Sequence, residues 1–378
     1  MAKMGDIATY INGYAFKPTD WSNEGTPIIR IQDLTGNSYQ VNRYNGKYDP
    51  KYEVNYGDVL VSWSASLGVY VWTGETAVLN QHIFKVQFDK ADVNKDFFVH
   101  QVECILNNAS SEAHGATMKH LTKPVFDALP FYLPNVDEQK KIAKELNKVS
   151  YLISLRKQQL SKLDELVKSR FIELFGDPKL NDKGWKSGIV SDYFEVKGGK
   201  RIPKGMGYSD KKTDHPYLRA TDMKNETILE DDIHYIDEDV FQHIKRYTVK
   251  GGDIYLTNVG VNLGMAGVIP QKFDGASLTE NAVKLVPKTE KVIDGLFLAH
   301  YINSPGIQEY INERKMSVGV PKLAIFRIET MPLLIPPMDI QQDFNTFVEQ
   351  TDKSKLAIQQ SLEKLETLKK ALMQKYFG

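Results

Sequence analysis

The chain has 378 residues, and its 48 basic and 48 acidic side chains give a formal net charge of +0, which argues against a stand-alone nucleic-acid binder. Its single cysteine, Cys104, excludes a disulfide framework and a multi-cysteine metal site. Because no apolar run reaches about 18 residues and no signal-peptide pattern is present, we expect a cytoplasmic protein with no membrane partner.

Residues 1–134 are predicted to form a first α+β domain. Short apolar runs separated by Gly, Asn and Asp are typical of strands joined by turns. Four such runs lie at residues 28–31, 58–61, 69–72 and 82–86. A stretch at 95–107 has helical character, and we expect it to pack on the sheet.

A long helix is predicted over residues 137–176, within a spacer at 135–177. The segment has no Gly or Pro before its end and is rich in Leu, Lys, Glu and Gln, which favour helix. Apolar residues recur every seven positions, as in a coiled coil: Ile153, Leu160, Val167 and Leu174. Asp137 is the expected N-cap and Gly176 the expected stop. At about 1.5 Å per residue, the helix would be about 60 Å long.

Residues 178–336 are predicted to form a second α+β domain of the same kind. Its strands are expected near 217–220, 253–257, 266–269 and 283–286, and its helices near 295–302 and 305–315. A second long helix is predicted over 339–378, within a spacer at 337–378. It supplies the partner that the apolar seam of the first long helix requires.

The two halves of the chain repeat one another. At one constant offset Gln139 falls on Gln341, and Leu160, Leu163 and Leu166 fall on Leu362, Leu365 and Leu368. Upstream, TPIIRIQDL mirrors HPYLRATDM, GDVLVSWSASLG mirrors GDIYLTNVGVNLG, and LNQHIFK mirrors LTENAVK. Such a repeat predicts two domains that share a scaffold and differ in their loops, which suggests two related but distinct binding roles.

The predicted fold class is therefore α+β, with two tandem-repeated domains separated by two long antiparallel coiled-coil helices. Antiparallel pairing returns Gly378 close to Met1 without a long connection, so we expect a pseudo-two-fold and nearly cyclic molecule. Two domains held apart by a rigid spacer of this length and related by a pseudo-two-fold axis suit duplex DNA, whose backbone also has two-fold symmetry. The residues expected to pair the helices are Ile153, Leu160, Leu163, Leu166, Val167, Leu174, Leu362, Leu365, Leu368 and Leu372.

Over its whole length the chain resembles the specificity (S) subunits of type I restriction–modification systems. The resemblance rests on the double repeat, on INGYAFK at residues 11–17, and on the two Gly-Asp-led strands with their small-residue loops. It also rests on the junctions LPNVDEQ and IPPMDIQ before the long helices, although the second has Ile340 where the first has Glu138.

This resemblance implies two target recognition domains, at residues 1–134 and 178–336, each reading one half of a split DNA sequence. It implies that the helices set the gap between the halves and dock two methyltransferase (M) subunits. S-adenosylmethionine would be bound by the M subunits, and ATP and Mg by further restriction (R) subunits, with no cofactor in this chain. We expect the M subunits to dock near the helix–domain junctions, around Gln139 and Gln341.

The sequence independently favours a non-catalytic chain. It has no N-P-P-[YF] methylation motif, no G-x-x-x-x-G-K-[ST] phosphate loop and no clustered carboxylates typical of a nuclease. The spacing of Gly260, Gly264 and Gly267 does not match G-x-G-x-x-G, and the eight histidines contain no helical pair. We therefore expect neither catalytic residues nor a metal site.

DNA contacts are expected in loops where the two halves diverge and carry long donors, because Arg can bind guanine and Asn or Gln can bind adenine. In the second domain the candidates are Lys197, Lys200, Arg201, Lys204, Asn258, Asn262 and Asn281; in the first they are Lys17, Ser64, Gln81 and His82. Lys119, His120 and Lys322 are candidate phosphate contacts before the helix junctions.

Some repeated residues are better explained by structure than by DNA reading. Arg30 and Arg219 occupy the same repeat position beside Asp33 and Asp222, which favours a shared scaffold pair. Trp63 is expected in the core rather than against DNA.

Two alternatives remain open at this point. A two-domain scaffold that binds protein is favoured by the neutral net charge, and salt-dependent DNA binding beside a methyltransferase would discriminate against it. The recognition half of a fused restriction–modification polypeptide is disfavoured by Met1 and by the complete double repeat.

Overall fold

The computed structural model describes residues 1–112, 121–288 and 292–378. The chain divides into two compact units, one formed by Met1–Gln158 with Gln359–Gly378 and the other by Gln159–Ile358. Each unit contains one globular α+β domain and a part of each of two long helices. Among the described residues, no helix is both long and apolar enough to cross a membrane.

In its described residues, the first unit contains short strands and four α-helices before its long helix. Its strands are β1 (Ala2–Lys3), β2 (Thr9–Asn12), β3 (Thr26–Ile29), β4 (Arg43–Tyr44), β5 (Glu53–Val54), β6 (Val59–Ser62), β7 (Gly68–Val71), β8 (Ala77–Leu79), β9 (Ile83–Gln87) and β10 (Pro130–Phe131). Its helices are α1 (Met4–Ile7), α2 (Ile31–Leu34), α3 (Lys95–Glu112) and α4 (Lys123–Ala128).

Two four-stranded sheets form this first domain. One has the order β2-β9-β6-β7 and is antiparallel, while the other has the order β4-β3-β8-β5 and contains the parallel pair β3 and β8. The β-branched residues of β6 are fully buried against Phe97 and Phe98 of α3. This packing of the first sheet on α3 forms the main core of the domain.

The first long helix, α5, extends over Val136–Phe175. Its N-cap is Asn135, whose side-chain oxygen accepts a hydrogen bond from the backbone N–H of Glu138 at 3.0 Å. The assignment of Asp137 as the cap was therefore wrong, because Asn135 satisfies an N–H of the first turn instead. Gly176 ends the helix with φ +75°, a left-handed conformation that glycine adopts without strain.

The second unit repeats the pattern of the first. Its strands are β11 (Lys186–Ile189), β12 (Phe194–Gly198), β13 (Pro216–Leu218), β14 (Met223–Lys224), β15 (Thr227–Ile228), β16 (His234–Tyr235), β17 (Ile254–Thr257), β18 (Ala266–Val268), β19 (Ser277–Leu278), β20 (Ala282–Pro287) and β21 (Pro332–Ile335). Its helices are α6 (Val190–Tyr193), α7 (Glu238–Ile244), α8 (Gly295–Asn303), α9 (Pro305–Arg314) and α10 (Ile325–Glu329), and the second long helix is α11 (Met338–Phe377).

The sheet order of the second domain matches that of the first. The antiparallel sheet β12-β20-β17-β18 corresponds to β2-β9-β6-β7, and the sheet β16-β13-β19 again contains one parallel pair, β13 and β19. Phe175 of α5, Phe297 of α8 and Phe344 of α11 form an aromatic cluster in its core, with ring centroids 4.6 to 5.5 Å apart. The predicted α+β class, with tandem domains and two long helices, is confirmed.

The two long helices run antiparallel within each unit. In the first unit, Tyr376 near the end of α11 donates to Glu145 near the start of α5 at 2.6 Å. In the second unit, Lys355 of α11 forms an ion pair with Asp164 of α5 at 2.7 Å. The direction of pairing that the internal repeat predicted is therefore confirmed.

Burial along the helices divides the ten seam residues into three groups. Val167 and Leu362 are buried, and six residues are half-buried: Ile153, Leu160, Leu163, Leu174, Leu365 and Leu372. Leu166 and Leu368 are 48% and 46% exposed, so they do not fill the seam, and their part in pairing the helices stays a prediction. If Leu160 and Leu163 take positions a and d of the heptad, Leu166 takes position g, which flanks the seam rather than filling it.

The repeated Gly-Asp motif closes a turn before β6 and before β17. Gly57 and Gly252 have φ values of +93° and +88°, which favour glycine. The side chain of Asp58 accepts a hydrogen bond from the backbone of Asn55, and that of Asp253 accepts one from Lys250, both at 2.9 Å. The motif is thus explained by turn geometry that both domains need.

Candidate nucleic-acid interface

The carboxyl ends of the parallel strands β13 and β19 bring several predicted DNA-contact residues together in the second domain. The N–H of Thr279, after β19, donates to Leu218 of β13 at 3.1 Å, and the N–H of Lys200 donates to Leu278 of β19 at 2.8 Å. The loop after β12 is thereby joined to the ends of both strands. We call this region the strand-end surface of the second domain, and define it by Lys200, Arg201, Glu280 and Asn281.

Gly199 allows this close approach of three backbones. A Cβ atom at position 199 would overlap the carbonyl oxygen of Thr279, so no larger residue fits without a shift. Gly13 lies against the carbonyl of Asn80 in the first domain in the same way. The two glycines occupy matching repeat positions, and each places the loop that follows it at the end of a parallel strand.

Arg201 is exposed, but Glu280 already binds it. The guanidinium Nε lies 2.5 Å from a carboxylate oxygen of Glu280, and this hydrogen bond raises the pKa of Arg201. Partial burial raises the pKa of Glu280, but the hydrogen bond and charge of Arg201, together with hydrogen bonds from the backbone and from Thr279, lower it below its ordinary value. Tyr217 supports the pair, because its hydroxyl donates to the carbonyl of Lys200 at 2.8 Å; burial raises the pKa of this hydroxyl to about 12.

Asn258 lies beneath this surface rather than on it. It is 5% exposed, its backbone N–H donates to Asn281 at 3.0 Å, and its carbonyl accepts from Leu323 at 2.8 Å. Its selection as a base reader was wrong, because the segment around Leu323 covers the end of β17. Asn281 is half-buried, and Lys322 beside Leu323 is exposed.

The other candidates of the second domain are more dispersed. Asn262 is half-buried, and its amide donates to the carbonyl of Ala220 at 3.4 Å, just beyond β13. Lys197 is exposed on β12 and forms an ion pair with Glu195 at 2.9 Å. Lys204 is exposed in the loop after Arg201.

The first domain presents the same surface with different side chains. Asn80, after β8, donates its N–H to Ile29 of the parallel strand β3 at 3.1 Å, and Gln81 and His82 follow directly. The side-chain nitrogens of Gln81 and His82 lie 3.2 Å apart. Gln81 and His82 correspond in the repeat to Glu280 and Asn281, so this position changes chemistry between the two domains.

Trp63 corresponds to Asn258, and it packs mainly on the core. Its ring stacks on Phe84 at 5.7 Å, and its indole N–H donates to Asn12 at 3.3 Å. Its backbone N–H donates to His82, as that of Asn258 donates to Asn281. The core placement predicted for Trp63 agrees with this packing.

Three further candidates of the first domain differ in their placement. Ser64 is buried, so its selection as a DNA contact was wrong, because a residue with almost no exposed surface cannot reach DNA. Lys17 is exposed just before a short 3₁₀ turn at Pro18–Asp20. Lys119 and His120 lie outside the described residues.

The repeated Arg–Asp pairs are formed in both domains. Arg30 lies 3.1 Å from Asp33, and Arg219 lies 2.6 Å from Asp222. Each Asp also accepts the backbone N–H of its own arginine at 2.8 Å. These bonds fix the turn after β3 and the turn after β13, in keeping with the scaffold role predicted for the pairs.

At the junctions of the long helices, the two repeated glutamines have a structural role. Gln139 and Gln341 are fully buried, and each makes three hydrogen bonds within its own unit. Neither side chain can itself contact a partner, and docking on the exposed surface around them stays a prediction. They are repeated because they hold the start of each long helix in place.

Comparison with known proteins assigns the chain to a family. The family described as "Type I restriction modification DNA specificity domain" matches residues 1–165 and 182–369. The chain belongs to this family. The two matches fall on the two halves of the internal repeat, so the type I specificity fold is present twice in this chain.

Two relatives match most of this specificity chain. The type I restriction enzyme EcoBI specificity subunit of Escherichia coli is 22% identical, and the alignment covers 99% of this chain and 84% of that protein. The MjaVIII specificity subunit of Methanocaldococcus jannaschii is 21% identical over 85% of this chain and 78% of that protein. Both are therefore distant relatives.

Solved structures share the fold of this specificity chain. A type I restriction–modification S subunit from M. genitalium has a TM-score of 0.55 at 15% identity, covering 100% of this chain and 95% of that one. A chain from a structure of a type I R-M system has a TM-score of 0.57 at 14% identity, covering 100% and 96%. At these identities the likeness concerns the fold alone.

Glu280 is a residue of the strand-end surface that sequence reasoning missed. It was passed over because the search for DNA contacts favoured basic and amide side chains. A carboxylate can accept a hydrogen bond from the amino group of cytosine, so an acidic residue belongs among the candidates. The signal was present, since Glu280 occupies the repeat position of Gln81, which was selected.

Proposed function

We propose that this specificity chain reads a split DNA sequence, one half with each domain. The observation that carries the proposal is the repeated placement of different polar side chains at the same strand ends. Gln81 and His82 stand in the first domain where Glu280 and Asn281 stand in the second, on matching scaffolds. Similar scaffolds with different donors and acceptors suit two half-sites of different sequence.

We further propose that the chain is non-catalytic and assembles with two M subunits, which bind S-adenosylmethionine, and with R subunits, which use ATP and Mg. The long helices would set the number of unread base pairs between the half-sites. Work on DNA places such a complex in the cytoplasm. Because the chain has a net charge of +0, the partners would supply much of the phosphate contact.

The docking surface for the M subunits is proposed on the outer faces of the long helices. In the first unit, Tyr151 and Leu368 of these helices are 62% and 46% exposed; in the second unit, Leu166 and Leu356 are 48% and 60% exposed. A contiguous exposed apolar patch marks a protein interface, and within each unit these side chains are the candidates to contribute to one. The surface near the helix–domain junctions, around Gln139 and Gln341, is proposed with them.

The test is a map of methylated adenines in a host that expresses the chain with M subunits, with and without the gene for this chain. One split motif should disappear when the gene is deleted. Exchange of residues 1–134 or 178–336 with those of another specificity chain should then change one half of the motif each. If no motif changes while the methyltransferase is active, DNA reading is refuted.

A protein-binding scaffold is the second candidate, and the neutral charge favours it. Its distinguishing result is binding to the M subunits with no salt-dependent affinity for duplex DNA in the assembled complex. A DNA-reading chain would instead lose affinity as salt rises.

A further inference from the structure

The loops that follow Gly13 and Gly199 are built alike but carry different side chains. In each domain the residue directly after the glycine donates its N–H to the last residue of a parallel strand, β8 or β19, at 2.7 and 2.8 Å. The next residue is Ala15 in the first domain and Arg201 in the second, and both are exposed. The same loop therefore forms with either side chain, so its structure does not require the arginine.

The partner of this arginine also differs between the domains. Glu280 forms an ion pair with Arg201, and the first domain has Gln81 at the matching position. Gln81 is neutral, and Ala15 offers no charge to pair with. The arginine and its carboxylate are thus present together in one domain and absent together in the other, as expected for two residues that act as a unit.

Glu280 is held in place by neighbours on both sides of its carboxylate. One oxygen accepts a hydrogen bond from Nε of Arg201 at 2.5 Å, and the other accepts from the hydroxyl of Thr279 at 3.2 Å. The side chain is 29% exposed. Because both oxygens already accept hydrogen bonds, Glu280 is better placed to orient Arg201 than to contact a base itself.

Arg201 presents the end of its guanidinium to solvent. The side chain is 79% exposed, and within the described residues Nε forms a hydrogen bond while Nη1 and Nη2 form none. These two nitrogens make a planar fork that fits O6 and N7 of guanine. With Nε held by Glu280, the plane of the fork is set before DNA arrives, which reduces the conformational entropy lost on binding.

The carboxylate beside the guanidinium favours a base over a phosphate as the ligand of this fork. A phosphate carries a negative charge and would be repelled by Glu280, whereas the edge of guanine is neutral. Phosphate contacts also carry no sequence information directly, so they give no reason for the two domains to differ at this position.

We propose that Arg201 reads one guanine of the second half-site through O6 and N7, and that Glu280 is the positioning residue that orients its guanidinium. The inference rests on the proposed DNA-reading function. It assigns a G·C pair to the half-site of the second domain, at a place where Ala15 and Gln81 of the first domain cannot make the same contact.

The test uses the chain assembled with its M subunits and measures methylation of duplexes in which each position of the second half-site is varied. Arg201→Ala should lower the preference for guanine at one position about 5- to 150-fold, the value of one bidentate contact. The other positions and the first half-site should keep their preferences. Lys250→Ala is the control, because it removes an exposed positive charge before the start of β17, away from the strand-end surface.

A single-atom change in the DNA tests the contact directly. In 7-deazaguanine a C–H group replaces N7, so one acceptor of the fork is lost. At the position identified with Arg201→Ala, this base should weaken binding of the wild-type complex and leave binding of the Arg201→Ala complex unchanged. If 7-deazaguanine weakens binding of both complexes equally, Arg201 does not contact N7 and the inference is overturned.

The positioning role of Glu280 is tested with Glu280→Gln, which introduces the residue type that the first domain already accommodates at Gln81. The variant should lower the same guanine preference when Arg201 is present and have no further effect on that preference in an Arg201→Ala background. Equal losses in both backgrounds would overturn the positioning role, because Glu280 would then act independently of Arg201.

The remaining failures are distinguishable. An Arg201→Ala complex that keeps the wild-type preference at every position of the second half-site overturns the inference and leaves the proposed function intact. An equal loss for all bases, with a salt slope reduced by about 0.9, would mark a phosphate contact and also overturn it. A wild-type complex with no preference in either half-site would instead refute the proposed function.

Discussion

The side-chain oxygen of Gln139 accepts the backbone N–H of Asn94 at 2.7 Å, and this bond joins the start of α5 to the segment that leads into α3. The amide nitrogen of Gln139 donates to Asp92 and Pro134 at 3.3 and 2.8 Å. Gln341 repeats the arrangement in the second unit, accepting from Asp294 at 2.7 Å and donating to Val292 and Pro336.

We expect Gln139→Leu to destabilise the first unit by about 1–3 kcal/mol, because it leaves a buried N–H and two carbonyls without partners. Urea unfolding followed by circular dichroism measures the free energy, and hydrogen exchange should show faster exchange of the Asn94 amide. Lys140→Ala, at the next and exposed position, is the control. An unchanged exchange rate of the Asn94 amide would contradict the proposed role of the Gln139 hydrogen bonds.

The helix seam predicts unequal costs for two leucines that the sequence treats alike. Leu362→Ala should lower the free energy of unfolding by about 2–4 kcal/mol, since Leu362 is buried and leaves a cavity. Leu368→Ala should cost less than about 1 kcal/mol, because the side chain is half exposed. Chemical denaturation of both variants makes the comparison, and equal costs would place Leu368 in the seam after all.

The partly buried pair of Glu226 and His300, whose side chains are 32% and 10% exposed, predicts acid sensitivity of the second unit. Nδ1 of His300 lies 3.1 Å from a carboxylate oxygen of Glu226, and Asn303 donates to the same oxygen at 3.2 Å. Burial alone would raise the pKa of Glu226, but these partners outweigh it and lower the pKa below its ordinary value.

Because the folded pKa of Glu226 is depressed, its stabilising contribution is complete above the unfolded pKa of about 4.3 and is lost as the pH falls through the lower folded value. We therefore expect Glu226→Gln to have a lower free energy of unfolding than wild type at pH 7. Between pH 7 and 3 its free energy of unfolding, measured with urea, should also fall less than that of wild type. Asp210→Asn, at an exposed loop position, should retain the wild-type acid dependence. If the free energy of unfolding fell equally with pH in wild type and Glu226→Gln, the pair would not be the source of the acid sensitivity.

The lysines near the strand-end surface of the second domain predict a measurable salt effect on DNA binding. Lys200→Ala and Lys204→Ala should each reduce the slope of log affinity against log salt by about 0.9, the value for one lost phosphate contact. Titrations of the assembled complex at several salt concentrations provide the slopes. Lys224→Ala, at an exposed position on β14, is the charge-matched control. If it reduced the slope equally, the effect of Lys200 and Lys204 would not be due to specific phosphate contacts.

Sequence reasoning located most elements but not every side chain. The strand predicted at residues 82–86 is observed as Ile83–Gln87, and the helix predicted at 305–315 as Pro305–Arg314. It was wrong at Asn258 and Ser64, which follow buried strands, because local pattern does not reveal which neighbouring segment covers a loop.

The sequence by itself determined the repeat, the two long helices and the turns, since heptad spacing, helix stops and Gly-Asp turns are local properties of the chain. Only the tertiary structure decided which repeated residues are buried and hydrogen-bonded to distant segments, and which face solvent. From the sequence, Gln139 and Gln341 mark only the helix–domain junctions; their hydrogen bonds to Asn94 and Asp294 show that the side chains themselves are internal. A buried polar group is defined by its partners, and those partners lie 45 and 47 residues away along the chain.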